Sequence, residues 1–406
     1  MSKLEKYASL LVEVGLNVQE GQRVSINASA DALPLVRLVT EKAYGKGAID
    51  VNVNLKDDRL TQLHAHNKDV MEYADVPQWV IDQRMFYSDE KAAFLSITSS
   101  SPELLKGVDP EKLKSMQIAY GNAFKEYSNR IQSDYHSWCV AGYPSVEWAK
   151  LVFPDKSDDE AVDALLELIF YTMRINHEDP VEAWLELDAS LHEKVDILNE
   201  KHFHALRYEG PGTDFTMELP GKHLWAGASS VNSEGVRFMA NMPTEEVFTA
   251  PKKDGVNGYV SNTKPLSYGG NIIDGFKLTF KDGKVVDYEA EQGADVLKNL
   301  LETDDGAKYL GEVALVPDDS PISNTGTLFF NTLFDENASC HIALGSAYGF
   351  SIDGGKDMSR EELTEAGLND SITHVDFMIG SADLNIYGID SEGKETPIFT
   401  KGNWAI

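Results

Sequence analysis

Cysteine and basic residues are scarce in this chain of 406 residues, and each scarcity excludes a class of protein. Only Cys139 and Cys340 occur, far apart, which excludes a disulfide scaffold and suits a reducing cytosol. Lysine and arginine number 36 against 66 acidic residues, for a formal net charge of −30. The chain therefore lacks the excess of positive charge needed to bind nucleic acid or an anionic membrane.

Long apolar runs and export signals are also absent. The longest apolar runs, such as LLELIFYTM at 165–173, fall well short of the roughly 20 residues that span a bilayer. The first residues carry Glu5 and Glu13 inside their apolar pattern, whereas a signal peptide has an uncharged core. These absences predict a cytoplasmic protein.

The first half of the chain alternates strand patterns with helix patterns. Strands are predicted at 23–28, 48–55, 92–98 and 137–143, and helices at 32–45 and 110–131. Strands separated by helices indicate crossover connections and a largely parallel sheet. No GxGxxG motif follows any of these strands and no GxxxxGK[ST] motif occurs, which argues against nucleotide binding.

From about residue 203 the pattern becomes mainly β. Asp282-Gly283 is a residue pair that tight hairpins prefer, and the glycine-rich stretch 255–271 predicts a long loop of the kind that shapes access to a cleft. We therefore predict an α/β N-terminal domain with a mainly parallel sheet and linking helices at 1–200. An α+β C-terminal catalytic domain rich in antiparallel strands is predicted at 201–406.

Five residues with metal-ligating side chains lie in the last part of the chain: Glu246, Glu312, His341, His374 and Asp376. Four of them lie in apolar, strand-like runs, where an unpaired carboxylate or imidazole costs several kcal/mol and needs a partner. Taken singly, each Glu is more often a salt-bridge partner or an edge-strand residue than a ligand, and each His is more often a hydrogen-bonded core residue. Their combination favours a bound metal, which would satisfy them all.

The chemistry of these ligands narrows the choice of metal ion. His374 and Asp376 are two residues apart in a β-type run, so a strand would direct both side chains to one face. The set is rich in oxygen with some nitrogen, which suits zinc, cobalt or manganese. Five ligands exceed the need of one tetrahedral zinc. With one bridging carboxylate they suffice for two ions, an arrangement that activates a water for hydrolysis.

The segments that carry these residues are NMPTEEVFTAP at 241–251, LGEVALV at 310–316, NASCHIALGSAYGF at 337–350 and HVD at 374–376. Together they resemble the thermophilic aminopeptidase family, the dinuclear metalloaminopeptidases that include aminopeptidases T and S and PepS. The opening YASLLVEVGLNVQEGQRVSINA at 7–28 is similar too, so the resemblance covers the chain from end to end. It implies a homodimeric aminopeptidase with two divalent ions per chain, acting on peptides with a free N-terminus.

The resemblance also implies roles for single residues. All five ligands are carried over, with Glu312 as the bridge, and Tyr348 matches the active-site tyrosine of the family. From the residues alone, Tyr348 could donate a hydrogen bond to a developing oxyanion or be a packed core aromatic. Glu245, next to Glu246, is a candidate general base. In a regular strand the two would point to opposite faces, which leaves Glu312 as the alternative base.

Two rival functions stay open. A dipeptidase or another metal-dependent amide hydrolase could use the same ligands, and cleavage of tripeptides and longer chains from the amino end would distinguish the aminopeptidase. A non-catalytic protein that binds metal or peptide would leave Tyr348 merely packed. Turnover of an aminoacyl amide would separate that protein from an enzyme.

Overall fold

The computed structural model describes residues 1–99, 101, 103–268 and 271–406, and the chain forms two compact units. They comprise Met1–Glu186 with Ser229–Pro243, and Leu187–Ala228 with Thr244–Ile406. The domain division at 200/201 stays a prediction. No helix in the described part of the chain is both long enough and apolar enough to cross a membrane.

The first unit is built on a five-stranded sheet whose neighbouring strands are all parallel. From edge to edge its strands are Asn241–Met242, Trp138–Gly142, Ala93–Thr98, Arg23–Ser29 and Asp50–Lys56. The four longer strands match those predicted. A two-residue strand has too short a pattern to be recognised in a sequence, so the return of residues 229–243 to this unit was not foreseen.

Helices connect the parallel strands, as parallel pairing requires. In this unit they are Lys3–Leu10, Leu33–Gly45, Asp58–Asn67, Val70–Tyr73, Gln78–Asp89, Pro110–Ala123, Lys125–Gln132, Val146–Val152 and Asp158–Thr172, with short turns of π-helix at Leu11–Gly15 and 3₁₀-helix at Ala30–Ala32. The unit also has a small ribbon of Ser230–Val231 and Arg237–Phe238. The predicted helix 110–131 is two helices, because Phe124 has a non-helical backbone with ψ of 17°.

The second unit contains antiparallel sheets. The larger has eight strands, in the order Lys284–Glu289, Lys277–Lys281, Val256–Ser261, Thr213–Glu218, Ala205–Gly210, Asn385–Ile389, Glu395–Thr400 and Asn403–Trp404. A five-stranded sheet has the order His374–Met378, His341–Gly345, Leu310–Leu315, Val247–Thr249 and Ala226–Gly227. The predicted fold class, parallel sheet first and antiparallel strands later, is confirmed.

Helices in the second unit are mostly short. The helix Pro180–Lys201 contains the boundary between Glu186 and Leu187. The others are Ala294–Leu301, Pro321–Asn324, Thr332–Asp335 and Arg360–Glu365, with 3₁₀ turns at Gly306–Lys308, Glu336–Ala338, Gly349–Ser351 and Gly355–Asp357. These turns connect the strands of the five-stranded sheet and so shape its surroundings.

Two local predictions had opposite outcomes. The hairpin at Asp282-Gly283 is confirmed, and both residues have the positive φ that its turn requires, 50° and 79°. The long loop at 255–271 was wrong, because it contains the strands Val256–Ser261 and Leu266–Tyr268; its residues 269 and 270 lie outside the described residues. Gly258 does not mark a loop, since a Cβ there would clash with the backbone of the neighbouring strand.

Candidate metal centre

The five predicted ligands lie on or beside the five-stranded antiparallel sheet of the second unit, here called the ligand sheet. Glu312 lies in the strand Leu310–Leu315, and His341 begins the strand His341–Gly345. His374 and Asp376 share the strand His374–Met378. Glu246 directly precedes the strand Val247–Thr249. Residues far apart in the sequence are therefore carried by neighbouring strands.

The strand register places the ligands of the three adjacent strands on one face, here called the ligand face. Glu312 pairs with Ala343, and Ala343 pairs with Asp376. His374 pairs with Gly345. Paired residues of antiparallel strands project to the same face, and His341 shares that face because it lies two residues before Ala343. Small partners such as Ala343 and Gly345 leave room for the ligand side chains.

The opposite face of the ligand sheet packs into the main apolar core. Its residues are Val313, Leu315, Ile342, Leu344, Val375 and Phe377. Because side chains alternate along a strand, a slip of one residue would exchange these core residues with the ligands. The hydrophobic effect therefore fixes the register, and the register fixes the positions of the ligands.

The ligand side chains form two overlapping groups that share Glu312. Ligand atoms of Glu246, Glu312 and His341 all lie within 4.8 Å of one another, and so do those of Glu312, His374 and Asp376. Glu312 Oε1 is 3.6 Å from His341 Nε2, and Glu312 Oε2 is 3.5 Å from His374 Nε2. The two oxygens of one carboxylate thus face two different histidines.

Backbone carbonyls orient both histidines. His341 Nδ1 lies 3.1 Å from the carbonyl oxygen of Ser339, and His374 Nδ1 lies 2.7 Å from that of Ser346. A carbonyl oxygen only accepts, so each Nδ1 carries the hydrogen and donates it. This leaves Nε2 of both rings, which faces the carboxylates, as the nitrogen that a metal ion would bind.

Burial and neighbouring charges perturb the protonation of these groups. Burial raises the pKa of Glu312, and the nearby charges of Asp376 and Glu246 raise it further. Burial disfavours a charged His374, but the nearby carboxylate of Asp376 outweighs this effect and raises the pKa of His374 to about 10. Without a metal, the carboxylates therefore recruit protons onto the histidines. The negative charge of the carboxylates therefore favours a bound cation at this site.

Two buried oxygens of this cluster make no hydrogen bond to any described residue, Glu246 Oε2 and Asp376 Oδ1. They lie 3.2 Å from His341 Nε2 and 3.5 Å from His374 Nε2 respectively, so the ionic contact lacks hydrogen-bond geometry. Buried carboxylate oxygens without a hydrogen bond are costly, and a cation offsets that cost. Carboxylate oxygens with two imidazole nitrogens are a donor set that fits zinc, cobalt or manganese.

A further carboxylate, Glu336, lies at the cluster and was not predicted. It begins the turn Glu336–Ala338, which packs against the strand His374–Met378. Burial, followed by the charges of Asp376 and Glu246, raises its pKa well above the ordinary value. In the sequence Glu336 lies in the polar stretch DENAS, which has no strand pattern. The one signal in the sequence that could have pointed to Glu336 is its position five residues before His341.

Glu245 is buried, and its segment is tied to the same turn. Its backbone N–H donates to Asn337 Oδ1 at 2.8 Å, and Asn337 Nδ2 donates to the carbonyl of Leu333 at 3.1 Å. Asn337 therefore joins the segment of Glu246 to that of Glu336. Neither group of clustered ligand atoms found among the described residues includes Glu245, and its role as a base stays a prediction.

Tyr348 lies beside the ligands. Its ring centroid is 4.9 Å from that of His374 and 5.3 Å from that of Phe350, on which it stacks. Burial, and then the charges of Glu312 and Asp376, raise the pKa of its hydroxyl. The hydroxyl is therefore held in the protonated form, which can donate a hydrogen bond.

A family model of the thermophilic metalloproteases (M29) matches residues 1–404. The chain belongs to this family. Aminopeptidase AmpS of Bacillus subtilis (strain 168) is 57% identical to it over 403 residues, which cover 99% of this chain and 98% of the relative. Aminopeptidase PepS of Streptococcus thermophilus is 49% identical over 404 residues, with the same coverage.

A solved structure, wild-type AmpT from Thermus thermophilus, has the same fold. It matches with a TM-score of 0.94 and 40% sequence identity, covering 100% of this chain and 99% of that one. The resemblance drawn from the sequence is confirmed, and so is the prediction of an enzyme. The chain is a peptidase of a metalloprotease family, and membership of that family implies divalent metal.

Proposed function

We propose that this protein is an aminopeptidase that removes the N-terminal residue of peptides with a dinuclear metal site. The observation that carries the proposal is Glu312, whose two oxygens face His341 and His374. Glu246, Glu312 and His341 would hold one ion, and Glu312, His374 and Asp376 a second. Relatives named as aminopeptidases, at 57% and 49% identity, support the reaction class.

The site must supply both charge stabilisation and proton transfer. Divalent zinc, cobalt or manganese bound here supplies Lewis acidity, which polarises the scissile carbonyl and acidifies a water. A buried carboxylate then takes the proton of the attacking water and delivers it to the leaving amine. Glu245 is the base predicted from the sequence, Glu312 is the alternative, and Glu336 is added because its pKa is raised.

Tyr348 is the proposed oxyanion donor. Its hydroxyl stays protonated because burial and nearby carboxylates raise its pKa, and its ring is held between His374 and Phe350. A donor fixed before reaction stabilises the developing oxyanion without reorganising. A purely structural Tyr348 would contribute packing alone.

The acidic cluster also offers a way to recognise the free N-terminus of a peptide substrate. A free α-amino group can coordinate one of the metal ions or pair with a carboxylate of the cluster. The peptide beyond the scissile bond plays no part in this recognition, so longer peptides are expected substrates. We also propose a cytoplasmic homodimer; the location rests on composition and the dimer on family resemblance.

Release of p-nitroaniline from aminoacyl p-nitroanilides tests the proposal. Purified protein is stripped with a chelator and titrated with zinc, cobalt or manganese. Activity should vanish on stripping and return as metal is added, and tripeptides and tetrapeptides should lose residues one at a time from the amino end. Cleavage of dipeptides alone would favour the dipeptidase. Metal binding without turnover would favour a non-catalytic binding protein.

The general base is identified by comparing Glu245→Gln with Glu336→Gln. Each substitution keeps the shape of the side chain and removes its basicity. The base variant should lose kcat while it keeps its metal content, because a base need not be a ligand. A variant that loses metal together with activity is a ligand variant instead.

A further inference from the structure

Three half-buried aromatic rings form a row that begins at the ligand His374. Tyr348 packs against His374 with ring centroids 4.9 Å apart. Phe350 stacks on Tyr348 at 5.3 Å with an interplanar angle of 7°, and Phe248 meets Phe350 edge-on at 5.8 Å and 78°. The row brings apolar surface directly to the cluster of charged ligands.

The strand register places Phe248 on the ligand face. It pairs with Ala314, and Ala314 pairs with His341, so Phe248 lies two strands from His341, roughly 10 Å at ordinary strand spacing. Its partner on the other side is Ala226. Small residues on both sides leave the ring of Phe248 uncovered by its neighbours within the sheet.

The core does not account for these rings. Phe248 and Phe350 belong to neither cluster of buried apolar residues that the described part of the second unit forms. Both are half-buried, whereas the phenylalanines of the main core, such as Phe377, are fully buried. Large aromatic side chains that stay partly exposed beside a few polar groups are typical of ligand pockets.

We infer that Phe248 and Phe350 form the subsite for the side chain of the peptide's first residue, and that this subsite selects large apolar side chains. The inference rests on the proposed function. In an aminopeptidase the scissile carbonyl lies at the metal ligands and Tyr348. The first residue's Cα is bonded to that carbonyl carbon, so its side chain begins about 2.5 Å away and extends over the adjoining surface.

The chemistry of this surface sets the selectivity. Aromatic and branched aliphatic side chains gain contact with the rings of Phe248 and Phe350 and lose contact with water. An acidic first side chain is disfavoured because the aromatic rings do not solvate its charge. Alanine is too short to cover the rings and serves as the reference substrate.

The test compares kcat/KM for Phe, Leu, Ala and Glu p-nitroanilides in the wild type and in the variants Phe248→Ala, Phe350→Ala, Phe350→Leu and Tyr259→Ala. Tyr259 is a partly exposed aromatic residue in the eight-stranded sheet and serves as the matched control. The wild type should prefer Phe and Leu over Ala by about tenfold or more, and cleave Glu least.

Phe350→Ala should lower the Phe-to-Ala ratio about tenfold, because a deleted pocket contact costs selectivity of that order. Phe350→Leu keeps an apolar side chain and should retain most of the preference for Leu. Tyr259→Ala should leave the ratios at their wild-type values. Phe248→Ala should shift the ratio in the same direction as Phe350→Ala, with thermal unfolding confirming that each variant is folded.

Each contrary outcome has a separate meaning. If the wild type cleaves the panel but the Phe-to-Ala ratio is unchanged in both Phe248→Ala and Phe350→Ala, the subsite inference is wrong and the aminopeptidase proposal stands. An equal loss on all four substrates would mean that Phe350 only supports Tyr348, which also overturns the inference. If the metal-loaded wild type cleaves no substrate, both the proposed function and the subsite inference are wrong.

Discussion

The two faces of the ligand sheet carry residues that alternate along the same strands yet have opposite surroundings. In the strand Leu310–Leu315, Glu312 faces two histidines while Val313 lies in the main apolar core. In the next strand His341 faces carboxylates while Ile342 is fully buried among apolar residues. The apolar face stabilises the sheet, and that stability lets the other face hold charged groups close together. Substitutions on the two faces should therefore fail in different ways.

The largest effect should come from Glu312→Gln on the ligand face. The amide keeps the size of the side chain but removes the charge shared by the two ligand groups, so kcat/KM should fall by roughly a thousandfold or more. The unfolding midpoint of the metal-free protein should stay at the wild-type value or rise, because the neighbouring carboxylates Asp376 and Glu246 disfavour a charged Glu312 and the amide removes that repulsion. Kinetics on a p-nitroanilide and a thermal melt of stripped protein measure both.

A matched control is Glu289→Gln, an exposed residue in the strand Lys284–Glu289 of the other sheet. It should leave both activity and stability unchanged. Glu312→Gln retaining a tenth or more of wild-type activity would show that the two faces are not functionally distinct.

The reverse pattern is expected for Ile342→Ala on the apolar face. Ile342 is fully buried, and its truncation should lower the free energy of unfolding by about 2–5 kcal/mol through lost burial and the cavity left behind. Denaturant titration measures this change. The fraction that remains folded should keep kcat/KM close to wild type. Loss of activity without loss of stability would contradict the assignment of Ile342 to a structural face.

A smaller effect is expected from Tyr348→Phe, which removes only a hydroxyl. If that hydroxyl stabilises the oxyanion, kcat should fall about a hundredfold with little change in KM. The ring keeps its packing on His374 and Phe350, so the melting temperature should not change. An unchanged kcat would return Tyr348 to the alternative role of a packed aromatic residue.

The smallest effect is expected from Cys340→Ala, one residue before His341 but on the core side. Cys340 is buried in the main core, and burial raises the pKa of its thiol to about 12. A neutral, buried thiol is a poor nucleophile and a poor ligand. Activity should stay at the wild-type level, and stability should fall by about 1 kcal/mol. Abolished activity with retained folding would make Cys340 part of the site.

The sequence predicted the ligand strands well because two signals coincided there. The apolar run around Glu312 predicts a strand, and the i, i+2 spacing of His374 and Asp376 in a β-type segment predicts a shared face. Polar residues in such segments need an explanation. Glu336 was missed because it lies in a short turn with no periodicity, and only folding of the chain brings it to Asp376. Phe248 and Phe350 were also missed, since an aromatic residue in an apolar segment is by default a core residue.

Errors elsewhere have a similar origin. The stretch 255–271 was taken for a loop because glycine usually interrupts strands, but Gly258 is required by the close approach of the neighbouring strand. The predicted helix 110–131 is interrupted at Phe124, where only the backbone departs from helical geometry. The first error came from a contact between residues distant in the sequence, and the second from the backbone conformation of one residue. Neither leaves a periodic pattern in the sequence.

The central claim is that Glu312 joins two ligand groups, and counting metal ions per chain tests it most directly. Wild type and Glu312→Gln are stripped, equilibrated with zinc at a fixed free concentration and measured by elemental mass spectrometry. We expect about two ions per wild-type chain and at most about one in the variant, because a bridging carboxylate serves both ions. One ion per wild-type chain, with the variant unchanged, would contradict the claim.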